Sequence, residues 1–489
     1  MEETILFGPR KSLLVVRNGL AETHQSGVSQ EENLPMIPRR APPDAHSGIP
    51  KGPVPTMTPA IQSIQDVAER QLCSGCGACA YMQPKAVQMV DDLAQGRRPV
   101  VTPGSDTTEA LAACPGVELT HTYDKSAVNA ELHRGWGPVL EIWEGWAADP
   151  QVRFESSSGG AATALGLFGI ESDGAGGVLH IAAREDVPTL NVTRLSTSRE
   201  EVMGALGSRY APASPCDSLE LAESASAPVV FIGKPCDAAA VSKARALRPA
   251  LDAKVSVTIA IFCAGAPSTQ GTHEMLKLMG FEDPLAVDSV RYRGKGWPGR
   301  ARGVLGEREE SLTYHESWGQ VLQRFVPWRC RICPDHTGEF ADISVGDPWY
   351  HGSTPDEEAG RSLVIARTPK GVEFLRRARE AGALELEERG PEALTLSQPN
   401  LLHVRGAVFG RVLTSRLLGA ATPRYKGFYV FDAWLKHLSL KQRAQAFYGT
   451  VKRVFKKGLR ERLVVEPYEP APRQSAAAAE TEKQGSGSA

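Results

Sequence analysis

Ala227-Pro228-Val229-Val230-Phe231-Ile232-Gly233-Lys234-Pro235-Cys236 passes from an apolar, β-branched run into Gly-Lys-Pro-Cys, and a helix-like stretch follows. A buried strand that ends on glycine and leads into a helix is the repeating unit of an α/β sheet. The rhythm recurs in Gly177-Val178-Leu179-His180-Ile181-Ala182 and in Val255-Ser256-Val257-Thr258-Ile259-Ala260-Ile261-Phe262, the latter running directly into Cys263. Residues 126–395 therefore predict an α/β core, with α+β character over the whole chain.

Outward from that core the composition changes. Residues 61–125 hold a cysteine-rich module with short elements, and residues 396–466 read as a helical, basic extension. Residues 1–60 are rich in Pro, Gly, Ser and charge from about residue 20, the composition of a mobile lead-in. The Ala/Glu/Gly/Ser-rich tail, 467–489, predicts disorder.

The bulk properties are those of a globular protein. The chain has 489 residues, 42% hydrophobic and 23% charged, enough for two to four domains. A formal net charge of -2 gives no global attraction to nucleic acid. Charged residues interrupt the apolar runs near the N-terminus, and no stretch has the length of a membrane span. Nine cysteines in so long a chain do not suggest a secreted disulfide scaffold. The expectation is a cytoplasmic protein with reduced thiols.

Eight of those cysteines fall into two sets. Cys73-Ser74-Gly75-Cys76-Gly77-Ala78-Cys79 spaces three thiols by two small residues each, and Cys114-Pro115 supplies a fourth. Three thiolates in a tight loop with a distant Cys-Pro form the ferredoxin pattern for a [4Fe–4S] cluster, because small residues let the backbone approach the sulfides. Structural zinc, which prefers paired C-x-x-C knuckles, suits the triplet less well. The second set is dispersed: Cys236, Cys263 and the pair Cys330/Cys333. Cys236 and Cys263 follow strand-like runs, and strand carboxyl ends converge on one crevice. Small buried hydrophobes at strand ends explain those residues too. Cys216 has no partner in the pattern and reads as a spare thiol.

Several further motifs accompany these cysteines. They are Ser156-Ser-Ser-Gly159-Gly160-Ala-Ala-Thr163, Gly207-Ser-Arg-Tyr210-Ala-Pro212, Gly233-Lys-Pro-Cys236-Asp237, Arg293-Gly-Lys295-Gly-Trp297-Pro-Gly299, and Cys330-Arg-Ile-Cys333-Pro-Asp335 continuing to Gly346-Asp347. In this order, over about residues 65–395, they resemble the beta-subunit family of coenzyme F420 hydrogenases and dehydrogenases, which includes 7-hydroxymethyl chlorophyll a reductase-like proteins. The resemblance divides the core into an N-terminal region, 126–235, and a C-terminal region, 236–395. It implies two [4Fe–4S] clusters, the second on Cys236, Cys263, Cys330 and Cys333, and FAD bound to the α/β part.

The residues indicate where such a flavin could sit. Ser158, Gly159, Gly160 and Thr163 stand at a helix start, where backbone N–H groups can meet a phosphate or ring edge, although a simple cap and turn has the same composition. Arg293 and Lys295, in a loop with Arg291, Trp297 and Arg300, can pair with FAD phosphates or an anionic substrate, or form an exposed basic turn. Lys234 and Arg209 are similar candidates. Asp335, His336, Asp342 and Asp347 offer no assignable general acid. The basic C-terminal helix is either a solvated face or a peripheral docking element for a membrane or a partner.

The expected function is an iron–sulfur flavoprotein oxidoreductase. A one-electron donor such as ferredoxin, or another electron-transfer protein, would supply two clusters and FAD, reducing a small-molecule substrate. Two alternatives accompany this reading: a coenzyme F420-linked electron-transfer subunit of a larger complex, and a non-catalytic Fe–S protein with a structural or redox-sensing role.

Overall fold

The computed structural model describes residues 59–351 and 358–472. The expected lead-in, 1–60, and tail, 467–489, therefore fall largely outside the described residues. Within the latter, Tyr468 N–H donates to the Asp91 carbonyl at 2.7 Å.

Eight strands form the central sheet: β1 (Glu141–Ala147), β2 (Val178–Ala183), β3 (Asn191–Ser196), β4 (Val229–Gly233), β5 (Val255–Ile261), β6 (Ile343–Gly346), β7 (Ser362–Ala366) and β8 (Leu384–Glu388). Their spatial order is β8-β1-β7-β6-β5-β4-β2-β3. The four strands β6, β5, β4 and β2 run parallel, and the outer ones pair antiparallel. This is the α/β architecture that the apolar runs predict. Strands β6 and β7 are buried along their whole length, as strands covered on both faces must be.

Alternation along the strands sorts the two faces. Val178, Val230 and Val257 point into one core with Leu165 and Phe168 of helix α1 (Ala161–Glu171) and Phe374 of the helix Pro369–Glu380. Leu179, Val229 and Phe231 face the other way, onto Ala240, Val241 and Ala244 of helix α2 (Pro235–Leu247). Pro235 suits the first turn of α2, where its missing N–H would have had no helical partner.

The cysteine-rich module packs as a further layer on this second face. Ile64, Val67, Leu72, Ala78 and Met82 share the α2 core. Its hairpin pairs Val87–Asp92 with Gly96–Val101, and Asp92 Oδ1 closes the turn by accepting from the N–H groups of Ala94 and Gln95. The turn between the thiols is seated on the core at Gly77, where φ is +91°. A Cβ there would lie 2.6 Å from the Asp217 nitrogen.

The basic extension is helical, as predicted: α3 (Leu401–Leu417), α4 (Val430–His437) and α5 (Leu440–Lys456). None of the helices among the described residues is long and apolar enough to cross a membrane.

Gly77→Ala should lower the denaturant midpoint of unfolding, with a cost of about 1–3 kcal/mol from the left-handed backbone and the clash. An unchanged midpoint would show that the 73–79 turn is not seated against Asp217.

Candidate functional site

The strand order brings the carboxyl ends of β4, β5 and β6 side by side, and the chemistry gathers there. Just beyond β4 stand Lys234 and Cys236; beyond β5, Phe262 and Cys263; beyond β6, Asp347. A cavity of about 240 Å³ opens at this edge. Its walls include Ser156–Ser158, Gly160–Thr163, Tyr210, Lys234, Phe262 and Asp347.

All nine cysteines are free thiols. Cys73, Cys76, Cys79 and Cys114 are buried together. Backbone N–H groups point at two of the sulfurs, Gly75 to Cys73 at 3.3 Å and Gly116 to Cys114 at 3.4 Å. Burial, and then the neighbouring Cys114 and Cys73, push Cys76 up to about 12. Burial and Cys73 push Cys114 up to about 11. Cys79 is raised well above the ordinary thiol value by burial and the other three sulfurs. Cys73 thus opposes ionisation of each of the other three.

The second set behaves alike. Burial, with Cys330 and Cys333 adding to it, pushes Cys263 up to about 12. Cys333 is raised to about 11, chiefly by burial, with Asp335 and Cys330 adding while Arg329 opposes. Burial, Asp237, Cys263 and Cys330 raise Cys236. The Gly265 N–H donates to Cys263 Sγ at 3.3 Å. Among the described residues, no three Cys, His, Asp or Glu side chains close on one point as ligands of a single ion would.

One arginine and one cysteine lie between the sets. Arg329 is 2% exposed, and Nη2 donates to the Pro115 carbonyl, next to Cys114, at 3.2 Å. Its Nε has no hydrogen-bond partner, and no carboxylate pairs with it among the described residues. Burial opposes its charge, but Tyr425, Cys333, Cys236 and Cys330 hold the guanidinium protonated. Cys216, the spare thiol of the sequence, is wholly buried: its N–H donates to the Cys76 carbonyl at 2.9 Å, and its thiol faces the Asp237 carbonyl at 3.6 Å. It touches the backbone of both sets without belonging to either.

The predicted flavin contacts separate into two groups. Ser158, Gly160, Thr163, Lys234 and Arg293 line the cavity. Ser158 Oγ donates to the Arg361 carbonyl at 2.6 Å, and Ser362 Oγ accepts from the Gly159 N–H at 3.0 Å, so the loop is pinned to β7. Gly160, with φ +78°, turns the chain into α1 and directs that helix start at the cavity. Lys234 Nζ donates to Asp237 at 2.6 Å, with Cys236 and Cys263 close enough to favour its charge.

Arg293 serves the protein itself. Its guanidinium grips Asp347 in a fork at 2.9 and 2.8 Å and donates to the Pro298 carbonyl at 2.8 Å. Tyr314 and Trp349 cover it. The 292–300 loop is consequently tucked inward, whereas Lys295 is exposed and does not line the cavity. Arg209 is spent on Asn191 and the carbonyls of Pro188, Leu190 and Val290.

Asp335 accepts from three successive N–H groups, and Asp342 holds Thr258 and Thr368. His336 Nδ1 contacts the Cys263 carbonyl at 2.9 Å, and burial lowers its proton affinity.

Two buried carboxylates carry no signal in the sequence, because their partners lie between 66 and 245 positions away. Glu144 meets Tyr350, His351, Arg361 and Arg389; burial opposes its charge, but these hydrogen bonds bring it down to about 2. Glu339 meets His121 at 2.8 Å and Arg405 of α3. The C-terminal extension also braces the second cysteine loop: Arg405 donates to the Pro334 carbonyl, Arg411 to that of Arg331 and Tyr425 to that of Ile332.

The α/β sheet thus sets Cys236 and Cys263 beside a strand-end cavity. The chain belongs to the coenzyme F420 hydrogenase/dehydrogenase beta-subunit family: the family's N-terminal profile matches residues 142–220 and its C-terminal profile residues 227–392, together about half the chain. It is 28% identical over 245 residues to the coenzyme F420 hydrogenase subunit beta of Methanococcus voltae, covering 49% of this chain and 81% of that one. It is 24% identical over 258 residues to an F420-dependent formate dehydrogenase 1 subunit beta of Methanococcus maripaludis, covering 52% of this chain and 64% of the relative. Among solved structures, a chain of the F420-reducing [NiFe] hydrogenase complex from Methanosarcina barkeri matches with a TM-score of 0.44 at 23% identity, over 57% of this chain and 94% of that one.

Burial alone would raise the Glu339 carboxyl, yet Arg405 and His121 hold it down to about 2. A depressed carboxylate contributes stability that is complete above its unfolded value, near 4.3, and is lost as pH falls toward 2. Glu339→Gln should therefore be less stable at neutral pH and show a flatter acid limb below about pH 4.5. Parallel acid-unfolding curves for the two proteins would refute the pairing.

Proposed function

We propose that the chain is an iron–sulfur electron-transfer subunit that exchanges reducing equivalents between a redox partner protein and coenzyme F420. Cys73, Cys76, Cys79 and Cys114 would hold one [4Fe–4S] cluster, and Cys236, Cys263, Cys330 and Cys333 the other. The supporting observation is Arg329. A buried guanidinium without a carboxylate is costly, and so is a group of buried thiolates. Each becomes tenable beside the other once a metal core binds the sulfurs, because metal binding deprotonates thiols.

FAD would lie against the cavity edge lined by Ser158, Gly160, Thr163 and Lys234, with Gly159 pinned behind them to Ser362. When bound, clusters supply one-electron transfer, and a flavin interconverts single electrons with a hydride equivalent. The protein's own part is positional. The start of α1 offers N–H groups to an anionic or ring-edge acceptor. The Arg293–Asp347 fork holds the 292–300 loop as one wall, and the Lys234–Asp237 pair keeps a fixed cation between cavity and thiols. The relatives' names favour the F420-linked reading over ferredoxin-driven reduction of an organic substrate.

Protein purified anaerobically should contain about eight iron atoms per chain, and Cys76→Ala should lose about half of them while keeping its flavin. The reduced protein should bleach coenzyme F420 stoichiometrically. Unchanged iron in Cys76→Ala would remove the first site, and absence of flavin together with no bleaching would leave a structural or sensing Fe–S protein.

A further inference from the structure

Five cations crowd the protein surface next to the second thiol set. Arg331 follows Cys330 directly and is exposed, and Cys330 itself is only partly covered. Arg411 of α3 donates to the Arg331 carbonyl at 2.6 Å. Arg453 and Lys456 of α5, with Lys457 just after it, are exposed beside them. Among the described residues, none of the five has an ion-pair partner. Other surface arginines differ: Arg376, for example, bridges Glu373 and Glu380.

The group is self-repelling. Burial, and then Arg453 and Arg331, bring Arg411 down to about 10. Lys457 is lowered by burial and by Arg331, Arg453 and Lys456. Packing dictates the crowding. Val454 is buried, which leaves Arg453, Lys456 and Lys457 exposed around it. An arrangement that costs the free protein electrostatic energy is offset when an anionic surface covers it. Phe455, 56% exposed among these cations, adds an apolar anchor of the kind found at interface centres.

We infer that the face formed by Arg331, Arg411, Arg453, Lys456 and Lys457 is the docking surface for an acidic one-electron carrier protein. The inference rests on the reading that Cys330 belongs to a cluster site, since that places Arg331 and the cations around it next to a partly exposed thiol of the redox centre. Four of the five lie outside the stretch matched by the family profiles or directly serve that outside packing: Arg411, Arg453, Lys456 and Lys457 all follow residue 392. The surface is thus particular to the C-terminal extension. A protein partner is favoured over a membrane because the cations come from three separate helices, the short Trp328–Arg331 turn, α3 and the end of α5, instead of lining a single helix face. The inward side of α5 (Ala446, Thr450, Val454) is already buried.

The test is calorimetric titration of the full chain, anaerobically, with a small acidic [2Fe–2S] ferredoxin as the probe. Binding should weaken steeply with salt. Arg453→Glu combined with Lys457→Glu should weaken it at least about tenfold, while the exposed control pair Lys85→Glu and Lys370→Glu should change it less than about twofold. Iron content and circular dichroism should match the parent in both. No binding by the parent, equal affinity in the Arg453/Lys457 variant, or equal weakening in both variants would overturn the inference. So would binding to phosphatidylglycerol vesicles, but not to ferredoxin, that is lost in the Arg453/Lys457 variant; the face would then belong to a membrane. Iron-free parent protein would instead overturn the cluster assignment, and the binding comparison would still decide the docking surface.

Discussion

A thiolate is expensive to bury, and several buried side by side are more expensive still. Burial, with Cys73 adding to it, holds Cys76, Cys79 and Cys114 toward the neutral form, and burial with Cys330 does the same for Cys236, Cys263 and Cys333. The rest of the site is built round that constraint. Arg329 sits between the groups without a carboxylate, Lys243 donates to the Cys114 carbonyl, and Gly75, Gly116 and Gly265 turn N–H groups toward sulfur. Each device stabilises negative charge on sulfur.

The same constraint explains how the layers are joined. The cysteine-rich module does not stand apart from the sheet. It shares the core of α2, and its Gly77 turn rests against Ser214–Asp217. That seating puts Cys216 in hydrogen-bond contact with Cys76 on one side and near the Asp237 carbonyl on the other. The two sets are therefore linked by a few bonded and hydrogen-bonded atoms through a rigid interior.

The C-terminal extension has a comparable structural role. Arg405, Arg411 and Tyr425 hold three consecutive parts of the 331–334 backbone, and Glu339 anchors Arg405 from below. The extension thus fixes the loop that carries Cys330 and Cys333. It also decides which charges surround that loop on the outside. A segment beyond the family core consequently shapes both the stability of the second thiol set and its exposed rim.

Local chemistry alone determined a good deal of this. The apolar, β-branched runs followed by helix-like stretches specified an α/β sheet, because strand burial and helix return are written in short-range pattern. The triplet at Cys73, Cys76 and Cys79 announced itself by spacing, since its three thiols share one loop. What lay beyond the sequence was everything that depends on distant partners. Cys236 and Cys263 come to the same end of the sheet only because β4 and β5 are neighbours, and Cys330 approaches them from the separate turn Trp328–Arg331. Arg293 reads as a phosphate ligand until Asp347, 54 positions on, takes its fork. Glu144, Glu339 and Arg329 are indistinguishable from surface charges until packing removes them from water, for a charge acquires its meaning from the partners and the dielectric around it.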